Sequence, residues 1–217
     1  MAIDFYYGSG SPFAWRVWLG LEHKALPYEL KVMSFDAGDL EKPEFLALNP
    51  RHRVPTIVDD GFALYESGAI LEYLEDKYPS SGQRLFPTDI RQRATARRLE
   101  SEVTSYVGAA LEPLLQEVLF TKAEEFNPEA IAEARKGFAA ELAFFERYAP
   151  AAGFFVGNAG AVDLTLYPWL ALALRMDRKK PDLDVRSTIP PKITAWMKRV
   201  EQLPYFEKTI PPHWKKK

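Results

Sequence analysis

A change of pattern near residue 80 is the feature that most constrains the fold. Before it, strands and helices alternate: residues 2–7 and 27–33 predict strands, and residues 12–24 carry apolar side chains at helical spacing. After it, only helical patterns follow. A chain of 217 residues can hold two small domains. The sequence therefore predicts an α/β domain followed by an all-α domain.

The first domain, residues 1–79, is predicted to have the order β-α-β-α-β-β-α. A short helix is expected around residues 40–48. The stretch V-P-T-I-V-D-D-G-F-A-L-Y predicts two strands joined by a tight turn, which is a hairpin signal. A helix then begins beside Ser67 and ends before Pro79. We expect the first two strands to be parallel and the last two to be antiparallel.

Residues 80–88 form a polar, turn-rich segment that we interpret as a linker. The second domain, residues 89–217, is predicted to be all-α. Pro113 should kink or divide its first helix, because proline lacks an N–H. The expected helices span residues 90–120, 128–149, 161–175 and 189–202.

Composition excludes several classes of site. With no cysteine, the chain has no disulfide, no thiolate metal ligand and no cysteine nucleophile. A net charge of −2 gives no general attraction to nucleic acid or to an anionic membrane. No apolar stretch reaches membrane-spanning length, and the N-terminus lacks the pattern of a signal peptide, so a cytoplasmic location is expected.

The three histidines do not indicate a metal site or a catalytic base. His23, His52 and His213 lie far apart in the sequence, and no metal-ligand spacing connects them. We expect His23 at the surface near the end of a helix. We therefore predict no metal.

The stretch G-S-G-S-P-F, residues 8–13, lies where the first strand ends and the first helix begins. It lacks the glycine spacing of a dinucleotide-binding loop, the lysine of a P-loop and the spacing of a nucleophile elbow. It does predict a helix start, with Ser11 as N-cap and Pro12 at the first helical position. Ser11 either only caps the helix or also offers its hydroxyl, with free backbone N–H groups, to an anion.

Two further stretches have the same double interpretation. In N-P-R-H-R-V-P-T-I-V, Pro55 is the first residue of a predicted strand. A cis Val54-Pro55 bond would turn the backbone of Val54 outward, where it could pair with an extended peptide. The alternative is an ordinary trans proline, which is the commoner state. In Y-E-S-G-A-I-L-E-Y-L, Ser67 is a predicted N-cap. There the helix N-terminus and Glu66 could bind the carboxylate and amine of an amino acid.

Together these three stretches resemble the glutathione S-transferase superfamily. A fourth stretch, G-N-A-G-A-V-D-L-T-L-Y-P-W around Asp163, is similar to the C-terminal folding motif of the same family. The resemblance covers essentially the whole chain. It implies a thioredoxin-like N-terminal domain, an all-helical C-terminal domain, glutathione as co-substrate and a homodimer. It also favours the serine-type members (theta, phi, tau and zeta-like), which place a serine at Ser11 and an arginine at Arg16.

The resemblance implies a role for each candidate residue. The hydroxyl of Ser11 would donate a hydrogen bond to the glutathione sulfur, with Tyr7, near the position used by tyrosine-type members, as the rival. Val54, presented by a cis Pro55, would pair with the cysteinyl part. Glu66 and Ser67 would bind the γ-glutamyl end, and Arg53, with His52 as a second candidate, the glycyl carboxylate.

Some features depart from the family or stay open. A histidine that many relatives have near Leu40 is absent, and Gly160 replaces the usual serine or threonine of the folding motif. The electrophile should be a small hydrophobic molecule bound between the domains, with Tyr7, Phe13, Tyr106 and Trp169 as candidate lining residues.

Three functions are compatible with these residues. The first is a glutathione transferase that activates the thiol as thiolate. The second is a glutathione-dependent isomerase, dehalogenase or ether-cleaving lyase with the same site. The third is a transferase-like binding module without catalysis.

Overall fold

A four-stranded mixed sheet organises the first part of the chain, and helices make up the rest. The computed structural model describes residues 2–215, so Met1, Lys216 and Lys217 at the ends of the predicted domains lie outside the description. The elements are, in chain order, β1 (Ile3–Gly8), α1 (Pro12–His23), β2 (Tyr28–Met33), α2 (Pro43–Leu46), β3 (Thr56–Asp59), β4 (Phe62–Tyr65), α3 (Ser67–Lys77), α4 (Ile90–Glu102), α5 (Ala109–Leu115), α6 (Pro128–Phe145), α7 (Ala161–Lys179), α8 (Pro191–Val200), α9 (Phe206–Thr209) and α10 (Pro212–Lys215).

The predicted order β-α-β-α-β-β-α is confirmed in residues 2–77. The sheet order is β2-β1-β3-β4, with β1 and β2 parallel and the other two pairs antiparallel. The short helix expected at 40–48 is divided into a 3-10 turn, Asp39–Glu41, and α2. Pro43 causes this division, because it has no N–H to continue a helix from the preceding turn but suits the first position of a new one.

The described residues divide into two units. Residues 2–87 and 203–215 form the first, and Thr88–Gln202 the second. The predicted linker at 80–88 thus ends at this division, but the last 13 described residues belong with the first unit rather than with the helices that precede them. This assignment differs from the expected second domain of residues 89–217.

His23 was expected at the surface, but it is buried. The return of residues 203–215 to the first unit explains this difference. The Nδ1 atom of His23 lies 2.6 Å from the Tyr205 hydroxyl, and its Nε2 lies 3.2 Å from the carbonyl oxygen of Arg84. Next to it, Lys24 and Glu75 form a fully buried ion pair at 2.9 Å. The end of α1 is therefore fixed to α3 and to the tail of the chain.

The second unit contains helices, turns and loops but no strand within its described residues, apart from one isolated β-bridge between Phe154 and Gly157. Helical conformation continues from residue 90 to residue 120, but two segments of it, Val103–Gly108 and Gln116–Phe120, widen to π-helix. Pro113 lies inside α5 and does not divide the helix. No helix within residues 2–215 is long and apolar enough to cross a membrane.

In the folding motif, a buried carboxylate caps the N-terminus of α7. The buried carboxylate of Asp163 accepts hydrogen bonds from the backbone N–H groups of Gly160 (3.1 Å) and Phe155 (3.2 Å) and from the indole N–H of Trp196 (2.7 Å). Gly160 serves as N-cap without a side-chain bond, so the carboxylate supplies the acceptor itself. Burial raises the pKa of Asp163 to about 6.

Candidate active site

The sheet register brings the three candidate stretches to one edge. Tyr6 in β1 pairs with Thr56, the first residue of β3, which in turn pairs with Tyr65, the last residue of β4. Because these neighbours are antiparallel, the C-terminal ends of β1 and β4 meet the N-terminal end of β3. The G-S-G-S-P-F turn, Val54-Pro55 and Glu66-Ser67 therefore follow or precede strands at the same edge.

A tight turn leads from β1 to the N-terminus of α1. Ser11 N–H donates to the Gly8 carbonyl at 3.2 Å, and Gly10 has a φ of +93°. A positive φ at the third position of such a turn is typical of type II and favours glycine. The turn fixes where Ser11 begins the helix.

Ser11 is the N-cap of α1, as predicted. Its Oγ accepts a long hydrogen bond, 3.3 Å, from the N–H of Ala14, and Pro12 occupies the first helical position. The side chain is half-buried, and its O–H donates to no acceptor within residues 2–215. The first turn contains no acidic residue. Ser11 can thus cap the helix through its oxygen and still donate its proton to an incoming anion.

Tyr7, the rival candidate, belongs to the core. Its side chain is fully buried, and its ring lies edge-on to Trp18 with centroids 4.9 Å apart. The hydroxyl forms no hydrogen bond to the described residues. Burial raises the pKa of the phenol, and the neighbouring polar groups of Ser9 and Gly10 only partly oppose that effect. A ligand can reach Ser11 more directly than it can reach this hydroxyl.

Val54 and Pro55 lie directly beside the turn. Their peptide bond is cis, as the resemblance implies. A β-carbon added to Gly8 would lie 2.7 Å from Cγ2 of Val54, so the two residues are in close contact. Neither the N–H nor the C=O of Val54 forms a hydrogen bond in the described part of the chain. Both groups are therefore available to pair with an extended ligand next to Ser11.

The start of α3 differs by one residue from the prediction. Glu66, not Ser67, is the N-cap position, because its carbonyl accepts the first helical hydrogen bond, from Ile70 N–H at 2.9 Å. Glu66 has a φ of +69°, a sparsely populated conformation that costs about 1–3 kcal/mol and often occurs at functional sites. No side chain caps this helix, and the hydroxyl of the buried Ser67 makes no hydrogen bond within residues 2–215. The N-terminus of α3 is thus open to an anion.

A buried asparagine that was not predicted from the sequence to have a role organises the loop before Pro55. The side-chain amide of Asn49 donates to the Arg53 carbonyl (2.7 Å) and to the Thr56 hydroxyl (3.1 Å), and its Oδ1 accepts from the Arg51 N–H (2.9 Å). The motif N-P-x-x-x-V-P contains this residue, but only its prolines and basic residues suggested a role. Asn49 sets the conformation from which Val54 and Pro55 emerge.

The two basic candidates in that loop are exposed. Arg53 points to no acidic partner among the described residues, whereas His52 already has one: its Nδ1 lies 2.7 Å from Oε2 of Glu41. A carboxylate ligand would therefore have to compete with Glu41 for His52. Arg53 is the more available of the two.

The candidate lining residues for the second substrate belong to both units. In the first, Tyr7 is buried, while Phe13 is half-buried, with the buried Arg16 guanidinium 5.6 Å from its ring centroid. In the second, Tyr106 is 59% exposed and Trp169 is buried. Trp169 packs against Gly108, where an added β-carbon would lie 3.0 Å from its ring.

Sequence reasoning also gave no role to His213, because nothing near it in the sequence indicates one. In the structure its Nδ1 lies 2.6 Å from the Ser9 hydroxyl, two residues before Ser11. Within residues 2–215, no group of three or more histidine, cysteine, aspartate or glutamate side chains could hold a metal ion.

Comparison with known proteins places the chain in a family. Two family models match it: "Glutathione S-transferase, N-terminal domain" over residues 10–77, and "Glutathione S-transferase, C-terminal domain" over residues 128–199. Glutathione S-transferase A of Pleuronectes platessa is 27% identical over 216 residues, which cover 96% of this chain and 91% of that relative.

Solved structures agree with this assignment. A glutathione S-transferase from the Antarctic clam Laternula elliptica has a TM-score of 0.83 and 29% identity, covering 100% of this chain and 95% of its own. A glutathione transferase from Pseudomonas putida, with a TM-score of 0.84 and 20% identity over 97% of this chain and 91% of its own, shares the fold. The chain therefore belongs to the glutathione S-transferase superfamily.

Proposed function

We propose that this protein is a glutathione S-transferase of the serine type, which binds glutathione at the edge formed by β1, β3 and β4 and activates its thiol through Ser11. Three groups that lie at this edge carry the proposal: the Ser11 O–H, the backbone of Val54 and the N-terminus of α3. None of them has its hydrogen-bonding capacity satisfied within the described chain. Structures of the Pseudomonas putida and Burkholderia graminis transferases, which share the fold, contain glutathione disulfide and glutathione respectively.

The chemical task is to stabilise a thiolate. A free thiol with a pKa near 8.5 is only a few per cent ionised at neutral pH. Lowering that pKa by roughly two units requires about 2.7 kcal/mol of preferential stabilisation of the anion. A hydrogen bond to a charged group contributes about 1.5–3 kcal/mol, and a helix N-terminus about 0.3–1 kcal/mol more. Ser11 at the start of α1 can supply both.

The rest of the glutathione molecule would be held by groups around Ser11. The N–H and C=O of Val54 would pair with the cysteinyl backbone like an added strand residue. The open N-terminus of α3 and the Ser67 hydroxyl would bind the γ-glutamyl carboxylate, and the exposed Glu66 its amine. Arg53 would meet the glycyl carboxylate, with His52 available only if its contact with Glu41 is released.

Binding and product analysis would test the proposal. Glutathione binding measured by calorimetry separates an enzyme from a binding module that does not use glutathione. A panel of electrophiles, comprising an alkyl halide, an aryl halide and an activated alkene, then tests for conjugation. We expect a glutathione conjugate and net consumption of glutathione. Turnover without net consumption would instead identify an isomerase, and absence of glutathione binding would contradict the proposal.

The homodimer implied by the resemblance also remains a proposal. Several exposed apolar side chains offer surface for a second copy, such as Phe62 on β4 (52% exposed) and Ile90 at the start of α4 (76%). Sedimentation of the intact protein at micromolar concentration would give its mass directly. We expect twice the chain mass of 24.7 kDa.

A further inference from the structure

The turn before Ser11 is short and rich in glycine. Its corner residues are Ser9 and Gly10, and a single backbone hydrogen bond, from Ser11 N–H to the Gly8 carbonyl, closes it. Glycine allows the positive φ of Gly10 but also allows many other conformations, so the sequence of the turn alone does not hold it in one state. Contacts from elsewhere must restrict it.

The tail of the chain supplies such contacts. After Gln202 the chain returns to the first unit, where the Thr209 hydroxyl accepts a hydrogen bond from the indole N–H of Trp15, at 3.1 Å. The ring of Trp214 lies edge-on to Trp15, with centroids 5.3 Å apart. These contacts fix α9 and α10 against α1, whose first residue follows Ser11.

His213 lies between these two anchoring points and touches both corner residues of the turn. Its Nδ1 is 2.6 Å from the Ser9 hydroxyl, and a β-carbon added to Gly10 would lie 3.1 Å from its Cε1. We propose that His213 is a positioning residue for thiol activation, which acts through Ser9 and Gly10 to hold the turn that sets the Ser11 hydroxyl. This inference rests on the proposed function of Ser11.

The physical reason is the sensitivity of a hydrogen bond to geometry. Donor strength falls steeply when the angle or distance departs from its optimum, and displacement by about 1 Å at a reacting centre can cost two orders of magnitude in rate. Without His213, the turn would visit conformations in which Ser11 no longer points at the sulfur. Glutathione would still bind through Val54, Glu66 and Ser67, but a smaller fraction of its thiol would be ionised at neutral pH.

The test measures the pKa of glutathione bound to the full-length protein, from the ultraviolet absorbance of the thiolate between pH 5 and pH 9. His213→Ala should raise this pKa by roughly half a unit to one unit, the scale of one hydrogen bond. His213→Asn, whose amide can still reach Ser9, should restore most of the shift. Lys215→Ala, exposed in the same short helix, is the matched control and should leave the pKa unchanged.

A double-mutant cycle with Ser9→Ala tests whether His213 acts through Ser9. The double variant should shift the thiol pKa no further than His213→Ala alone, since the two changes remove one interaction. Additive shifts would overturn the inference, and so would an unchanged pKa in His213→Ala.

Ser11→Ala, measured in parallel, separates this inference from the proposal beneath it. If Ser11→Ala raises the thiol pKa and His213→Ala does not, only the role of His213 fails. If Ser11→Ala leaves the pKa unchanged, the proposed activation by Ser11 fails, and the role of His213 with it.

Discussion

The N-termini of α7 and α1 differ in whether a carboxylate of the chain itself satisfies their backbone N–H groups. At the start of α7, the buried Asp163 accepts three N–H donors, and the chain needs no external anion. At the start of α1, the half-buried Ser11 accepts one long bond and keeps its proton available. A helix N-terminus favours negative charge in both cases. At α7 the carboxylate of Asp163 satisfies that preference, whereas the first turn of α1 contains no acidic residue.

The N-terminus of α3 belongs with the open type. No side chain caps it, and Glu66 holds an unfavourable backbone conformation there. We therefore expect substitutions at α7 to affect stability and substitutions at α1 and α3 to affect the ligand.

The largest effect should follow Asp163→Asn. The amide cannot accept three hydrogen bonds in the arrangement of the carboxylate, and its own NH₂ would face buried donors. We expect a loss of about 3 kcal/mol or more in the free energy of unfolding, measured by denaturant titration. Asp182→Asn, at an exposed aspartate in the same unit, is the control and should change it by less than about 0.5 kcal/mol. Equal stability of the two variants would mean that the α7 terminus is not closed by Asp163.

The same aspartate should give the protein a distinct pH dependence. Its folded-state pKa, about 6, lies above its ordinary value of 3.8. Between about pH 4 and pH 6 the folded state therefore binds more protons than the unfolded state, and this group's contribution to stability falls as the pH rises, by at most about 1.4 kcal/mol per pH unit. Asparagine does not titrate. The stability of wild type minus that of Asp163→Asn should thus decrease from pH 4 to pH 6; a flat or rising difference would contradict the raised pKa.

At the open terminus of α1, Ser11→Ala should mainly affect the reaction. Loss of about 2.7 kcal/mol of thiolate stabilisation corresponds to a decrease of about 100-fold in kcat/KM at neutral pH. Loss of a helix cap should cost only about 1 kcal/mol of stability. Steady-state kinetics and denaturant titration on the same sample separate the two effects. Ser101→Ala, at an exposed serine of α4, provides the control.

The smallest effect is expected for Ser67→Ala, at the open terminus of α3. Removal of one hydroxyl from the carboxylate site should weaken glutathione binding about tenfold, equivalent to about 1.4 kcal/mol. Stability should change by less than about 0.5 kcal/mol, because Ser67 caps nothing within the described chain. Calorimetric titration with glutathione measures the first quantity. A stable variant with unchanged affinity would remove Ser67 from the proposed site.

The contrast between these termini also shows what the sequence could and could not reveal. Ser11-Pro12 and the D-D-G hairpin are local signals, so the start of α1 and the β3–β4 pair were predicted correctly. The N-cap of α3 was placed one residue late, since Glu66 adopts a positive φ that no propensity favours. Sequence patterns identify a helix start correctly when an ordinary capping side chain is present. They are less accurate when the N-cap residue has a strained backbone and no side chain caps the helix.

Long-range contacts were beyond such reasoning. The burial of His23 and the approach of His213 to Ser9 both depend on the return of residues 203–215 to the first unit. About 200 residues separate the partners of the second contact, and no pattern in either segment points to the other. Asn49 lay inside a motif that was noticed, but its three hydrogen bonds depend on the folded loop. In each case the partners of the residue become visible only in the folded chain.

If Ser11, at an open helix N-terminus, stabilises the glutathione thiolate, the pKa of the bound thiol should depend on its hydroxyl. Ultraviolet titration of glutathione with wild type, Ser11→Ala and Tyr7→Phe would compare the two candidate hydroxyls in one experiment. We predict that wild type and Tyr7→Phe lower the thiol pKa by roughly two units and that Ser11→Ala returns it to near 8.5. A normal shift in Ser11→Ala together with its loss in Tyr7→Phe would contradict this account and assign the thiolate to the buried phenol.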